Sequence, residues 1–267
     1  YKAIENAEAI GAECIQIFGA TPRGWSAPMP KEHDIKKFKE HWAKSKVKAV
    51  YLHSAYLANI SSPDEMLRFK SIKNLSDHLR IAEAIGANGL IFHLGSGKEL
   101  PKSKAIDQAV TGMKEILKNV PGATQLVMEN SAGGGQKLGA TAQEMGILMK
   151  KMNSERVKIC FDTAHAFEAG IIEKYTEDAL KNLFNEWDRE VGIENIAALH
   201  VNDSKTVFDS HHDKHENIGK GYIGLAGFKA LAKEKRLYHA VWILEVPGFD
   251  DNGPDKKNME ILRSCFE

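Results

Sequence analysis

Cysteine is scarce in this chain. Three occur in 267 residues, Cys14, Cys160 and Cys265, odd in number, far apart and in no CxxC spacing, which excludes a disulfide framework and a thiolate zinc site. Neither sign of charge is in excess. Lys plus Arg is 36 and Asp plus Glu is 36, so nothing in the net charge advertises nucleic acid or an anionic membrane surface. Long apolar runs are lacking too. None approaches the roughly 20 residues that cross a bilayer; mean hydropathy is −0.35, and the opening YKAIENAEAI carries charges where a signal peptide is apolar. A cytoplasmic protein with no membrane association is expected. No Pro/Gly/Ser linker or low-complexity tract divides the chain, so residues 1–267 read as a single domain, and a hydrophobic content of 43% suffices for its core. Histidine stands out, at 11.

Short runs rich in Ile, Val, Leu and Phe recur roughly every 35 to 45 residues, each followed by a stretch of helical period. They lie at 14–19 (CIQIFG), 49–53 (AVYLH), 89–93 (GLIFH), 125–129 (QLVME), 157–162 (VKICFD), 196–200 (IAALH) and 240–245 (AVWILE). Helices are predicted at 3–11, 31–46, 63–86, 102–119, 141–152, 174–191, 225–235 and 254–266, several opening on an N-cap or proline signal such as Ser62-Pro63, Thr141 and Pro254. Strands so continuously apolar are buried on both faces, as in a parallel sheet covered by helices. A (β/α)-barrel takes about 250 residues, and this chain opens on a helical stretch with no strand before it. The expected fold is therefore α/β, a TIM (β/α)8 barrel whose first strand is missing from the chain. An open doubly wound sheet is the alternative, but it gathers ligands at one switch point, whereas here nearly every run ends in a polar or metal-binding residue.

Six consecutive runs end in His, Asp or Glu: His53, His93, Glu129, Asp162, His200 and Glu245. In a parallel barrel these ends face one mouth, where unpaired carboxylates would crowd negative charge, so a cation is expected among them. Imidazoles and carboxylates without thiolates suit divalent zinc or manganese better than magnesium. Two local pairs add to the set. His165 follows Asp162 by three positions, and Asp213 with His215 lies on the loop after the 196–200 run. Nine candidate ligands exceed what one zinc uses; with one bridging carboxylate they suit a cluster of three. A lone His or Glu at a strand end is more often a structural group, but six in succession reverse that weighting. His33, His41, His78, His211, His212 and His239 are taken as surface or packing residues. Asp209 and His211 repeat the spacing of Asp213 and His215 and compete with them; the later pair is preferred because the IGKG turn at 218–221 follows it. The GKGYIG stretch at 219–224 satisfies GxGxxG but follows a polar loop rather than a strand, so the dinucleotide reading fails. Gly133–Gly135 at the mouth is either a ligand-approaching loop or simply a flexible one.

The segments CFDTAHAFEAG (160–170), LHVNDSK (199–205), DKHENIG (213–219) with Gly221 and Gly224, and ILEV (243–246) resemble endonuclease IV, the zinc-dependent apurinic/apyrimidinic endonuclease family with a xylose-isomerase-like TIM barrel. The resemblance covers nearly the whole chain. It implies three zinc ions per chain: Glu129 bridging two, His53 and His93 completing one of these, Asp162, His200 and Glu245 the other, and His165, Asp213 and His215 holding the third, with Glu129 and Glu245 as catalytic carboxylates. It also implies contacts to a DNA lesion by Arg23, Trp25, Tyr56 and Leu57. The implied reaction is hydrolysis of the phosphodiester 5′ to an abasic site in duplex DNA, leaving a 3′-hydroxyl and a 5′-deoxyribose phosphate, by a monomer. Clustered zinc can supply a nucleophile at neutral pH, charge relief and help for the leaving oxygen. An abasic nucleotide has no stacking to lose on extrusion. The neutral net charge is offset locally by the metals and by Arg23, Lys98, Lys102, Lys137, Lys205 and Lys220 near the predicted mouth loops.

Two other function classes compete. A single-metal sugar isomerase or epimerase of the same barrel group would use Glu129, Asp162, His200 and Glu245 but has no work for His53, His93, Asp213 and His215. A metal-stabilised DNA-binding module without turnover is the non-enzymatic alternative.

Overall fold

The computed structural model describes residues 1–267. By packing, the chain sorts into two compact units, the first of residues 1–129, 135–138 and 148–158, the second of 130–134, 139–147 and 159–267.

In the first unit helices and strands alternate: α1 (Lys2–Ala9), β1 (Cys14–Phe18), α2 (Glu32–Lys44), β2 (Ala49–His53), α3 (Glu65–Ile85), β3 (Gly89–His93), α4 (Lys102–Asn119) and β4 (Gln125–Glu129). The four strands pair in chain order, all parallel. Every residue of β2 is buried, as its unbroken apolar run requires. β3 must begin on glycine, because a Cβ at Gly89 would lie 2.8 Å from Val127 Cγ2 and 3.0 Å from Tyr51 Cε1. α3 starts two residues later than predicted from Ser62-Pro63, with Asp64 as its cap: the Asp64 side chain accepts from the Leu67 N–H at 3.1 Å, while Ser62 Oγ accepts from the Asp64 N–H. Gly86, at φ 79°, closes the helix in the left-handed conformation.

Helix α5 (Ala142–Met152) and strand β5 (Val157–Asp162) contribute to both units. The second unit adds a short helix α6 (Thr163–Glu168) that periodicity did not reveal, then α7 (Glu177–Val191) and β6 (Ile196–His200). Next come a two-residue ribbon, β7 (Asp203–Ser204) against β8 (His215–Glu216), then α8 (Gly224–Leu231), β9 (Val241–Ile243) and α9 (Lys256–Ser264). β5, β6 and β9 are parallel neighbours. The core of this unit forms where α7 presents Leu180, Leu183, Phe184 and Trp187 on one stripe, with Phe161 of β5 edge-on to Phe184 and Trp187. The predicted 225–235 helix stops at Leu231, and Lys235–Leu237 forms a separate 3-10 turn capped by the Glu234 side chain, which accepts from the Arg236 N–H. The 240–245 run is strand only over Val241–Ile243; Glu245 leaves the sheet because its N–H donates to Asn202 Oδ1 at 2.8 Å.

The GKGYIG stretch has a structural task. The buried Asp203 carboxylate accepts backbone N–H groups from Gly219, Gly221, Ile223 and Gly224, and from Ser204 beside it. The glycines fold around an internal carboxylate as such a nest folds around a phosphate. A Cβ at Gly221 would fall 2.2 Å from the Ser204 carbonyl oxygen, so the nest needs glycine there, and it fixes the ribbon that carries His215.

His78, on the inner side of α3, is fully buried, and neither ring nitrogen has a hydrogen-bond partner. Burial lowers its pKa from the ordinary 6.5 to about 4, the charge of Asp77 opposing and the neighbourhood of His53 assisting. The folded protein therefore keeps this ring neutral while the unfolded chain protonates it below about pH 6.5. Stability is expected to be full above that pH and to fall as the pH drops to about 4, by about 3 kcal/mol from this group. Urea unfolding of the parent and of His78→Leu across pH 7 to 4 checks this: the variant should lose that part of the slope, and parallel profiles would refute the assignment.

Candidate metal centre

Parallel pairing brings the chemistry-bearing strand ends together. In the first unit His93 and Glu129 are register partners at the ends of β3 and β4, and His53 closes β2 beside them. His53 Nε2 lies 3.1 Å and His93 Nε2 3.5 Å from the same Glu129 oxygen, Oε2. His53 Nδ1 is 2.9 Å from the Ser54 carbonyl oxygen, so both ring nitrogens face oxygen acceptors; with the proton on Nδ1, Nε2 is free to ligate a cation. His53 and Glu129 are buried, whereas His93 opens to solvent.

Of the four candidate DNA contacts, Tyr56 lies beside this group. Tyr56 packs tilted on the His53 ring at 5.9 Å and edge-on to Phe18 at 5.6 Å, with most of its surface exposed. Leu57 and Trp25 are exposed, and Arg23 is on the same loop as Trp25. Backbone links hold the loop in place: the Tyr56 N–H donates to the Pro22 carbonyl and Asn74 Nδ2 to the Trp25 carbonyl.

The second unit holds six of the nine sequence candidates. Asp162 and His200, register partners at the ends of β5 and β6, are fully buried, and Glu245 reaches His200 Nδ1 at 3.0 Å. Asp162 Oδ2 also lies 3.8 Å from His200 Nδ1 and 3.6 Å from His215 Nε2. Beyond it, Asp213 Oδ1 stands 3.2 Å from His165 Nε2 and 3.5 Å from His215 Nε2. Asp162 is thus shared by two ligand groups, one with His200 and Glu245 and one with His165 and His215. It also caps α6, accepting from the His165 N–H at 2.8 Å, so a single short turn positions both residues.

Asn202 was missed in the sequence although it sits inside LHVNDSK. Its Nδ2 donates to Asp162 Oδ2 at 2.7 Å and its Oδ1 accepts from the Glu245 N–H, which joins two ligands from opposite ends of the unit. Asp209 and His211 do not enter the ligand group. They meet each other at 3.4 Å, and His211 Nδ1 lies 3.2 Å from the Ala132 carbonyl, against Gly133 and Gly134, where any Cβ would strike the ring.

The donor set fits zinc. Within this unit the ion-pair partners of the buried Asp162 carboxylate are the imidazoles of His165, His200 and His215. A buried carboxylate of that kind is costly without a cation. His215 Nε2 is buried without a hydrogen-bond partner yet points at two carboxylates, as a ligand nitrogen should.

Three comparisons place this geometry. The sequence profile of the xylose isomerase-like TIM barrel family matches residues 4–265, so the expected α/β barrel class holds. A probable endonuclease 4 of Halothermothrix orenii is 33% identical over 264 residues, spanning 98% of this chain and 95% of that relative. The crystal structure of endonuclease IV from Thermus thermophilus superposes with a TM-score of 0.86 at 29% identity, covering 99% of this chain and 93% of that one. The chain belongs to the endonuclease IV family within the xylose isomerase-like TIM barrels. A D-tagatose 3-epimerase-like protein also matches, with a TM-score of 0.73 over 98% of this chain and 91% of its own, but at 20% identity it shows the shared fold alone.

If cations balance these carboxylates, stripping divalent metal with a chelator should lower the unfolding temperature. Restoring zinc at about 100 times its Kd should return about 2.7 kcal/mol per site. Calorimetry with and without chelator measures this, and an unchanged unfolding temperature counts against a metal centre.

Proposed function

We propose that the protein is a DNA repair endonuclease that hydrolyses the phosphodiester 5′ to an abasic site in duplex DNA, leaving a 3′-hydroxyl and a 5′-deoxyribose phosphate. It would act as a monomer in the cytoplasm, with residues 1–267 as one barrel domain holding three zinc ions. His53, His93 and Glu129 would hold one ion, and Asp162, His200 and Glu245 a second, bridged to the first by Glu129. His165, Asp213 and His215 would hold the third. When bound, such a cluster acidifies water toward neutrality and relieves charge on phosphoryl and leaving oxygens.

The observation that carries this reading is Asp162 shared between two ligand groups. The group of His165, His215 and Asp213 is surplus to any one-metal isomerase, whereas a multi-metal phosphodiesterase uses it. The chain's own residues do the rest. Asn202 keeps Asp162 and Glu245 aimed, and a proton on His53 Nδ1, donated to the Ser54 carbonyl, would leave Nε2 for the metal. Tyr56, with Leu57 beside it, would wedge at the lesion, Arg23 would fill the emptied stack and Trp25 would be a neighbouring loop contact. Selectivity follows from the low cost of extruding a nucleotide that has no base.

The test is a duplex with one abasic site, incubated with the protein without added magnesium. Incision 5′ to the lesion and an intact undamaged duplex are expected; no incision by zinc-loaded protein refutes the reading. Glu129→Ala should abolish cleavage, by at least about a thousandfold, and release metal; retained activity would remove Glu129 from the bridging role.

Because the net charge is neutral, attraction for DNA must come from the metals and loop cations, and binding should weaken steeply with salt. Affinity for the abasic duplex measured at low and at high ionic strength decides this; a flat profile contradicts it.

A further inference from the structure

The last residue of α6, Glu168, has no part in the scheme above. It is fully buried. Its Oε1 accepts from Ser204 Oγ at 2.8 Å, Thr206 Oγ1 at 3.2 Å and the Lys214 N–H at 3.2 Å, and Lys214 is the link between Asp213 and His215. Its Oε2 is buried with no hydrogen-bond partner. Three positions after His165, it shares a face of α6 with that ligand. A Glu168 carboxylate oxygen and ligand atoms of His165 and Asp213 all lie within 4.8 Å of one another.

Three donors on one oxygen and none on the other is an unbalanced arrangement for a carboxylate removed from water, since the bare oxygen forgoes its hydration with nothing in return. A cation beside His165 and Asp213 supplies the missing partner. We propose that Glu168 is a further protein ligand, through Oε2, of the metal held by His165, Asp213 and His215. The inference rests on the multi-zinc reading of the site. It gives that ion four protein donors, the number of a closed zinc site. Solvent or substrate then reaches this ion only by expanding its coordination or displacing a carboxylate.

Glu168→Gln isolates the claim, because its amide oxygen can still accept from Ser204, Thr206 and Lys214 while an NH2 group replaces the bare oxygen. Full-length protein is stripped of metal and titrated with zinc alone against a chromophoric chelator. In parallel, cobalt(II) is loaded into the same site. The parent chain is expected to bind three zincs. In the variant one of them should weaken by at least about tenfold, the other two should hold, and the d–d bands of cobalt should change in energy and intensity. Three zincs with unchanged affinity overturn the proposal. So does a weakened zinc with an unchanged cobalt spectrum, the result for a residue that only positions the Lys214 segment. A parent chain that binds a single zinc removes the site and the functional reading together, which sets that failure apart from the other two. Circular dichroism of the metal-free variant checks the fold. If it does not fold, Glu168→Asp, which withdraws the oxygen by one methylene, is read by the same two measurements.

Discussion

A carboxylate taken fully out of water, with imidazoles rather than ammonium or guanidinium groups around it, is the constraint on which this architecture depends. Asp162 occupies that position. The hydrogen bonds it accepts lower the cost of a charge held there, and a cation among the surrounding rings would offset the rest. Much of the surrounding design reads as control of that carboxylate. Asn202 holds one of its oxygens, the first turn of α6 holds the other, and the strand register sets His200 beside it.

Parallel pairing explains why residues distant in sequence can share this duty. Where parallel register aligns two strand ends, the polar residue that terminates one apolar run stands next to the terminal residue of its neighbour, as with His93 and Glu129 or Asp162 and His200. The loops then add what strands cannot. His215 arrives on a ribbon fixed by the Asp203 nest, and Glu245 arrives where β9 has already left the sheet. Burial raises the pKa of the Asp203 carboxyl despite its N–H donors, so the nest works against desolvation rather than freely.

The sequence was legible where a single local rule decides the outcome. Apolar runs located strands β1 to β6 to within a residue, those of β2 to β6 ending on His, Asp or Glu, and helical period located α3, α4 and α5 closely. It was silent where two distant segments must meet. Nothing local distinguishes Asn202 from an ordinary loop asparagine, and nothing in GKGYIG announces that its anion is Asp203. The choice between Asp209 with His211 and Asp213 with His215 could not be made from spacing, because both pairs have the same spacing. Packing of His211 against Gly133 and Gly134 separates them. Helix α6 escaped detection because six residues are too few for a period to register.

The loop carrying Arg23 and Trp25 is fastened through its main chain: Asn74 grips the Trp25 carbonyl, Tyr56 the Pro22 carbonyl, and the Gly24 N–H closes a turn on Thr21. None of those ties involves the side chains at 23 or 25. The shape of the loop is therefore set independently of the groups it displays, so the side chains at 23 and 25 can be exchanged while the backbone stays put.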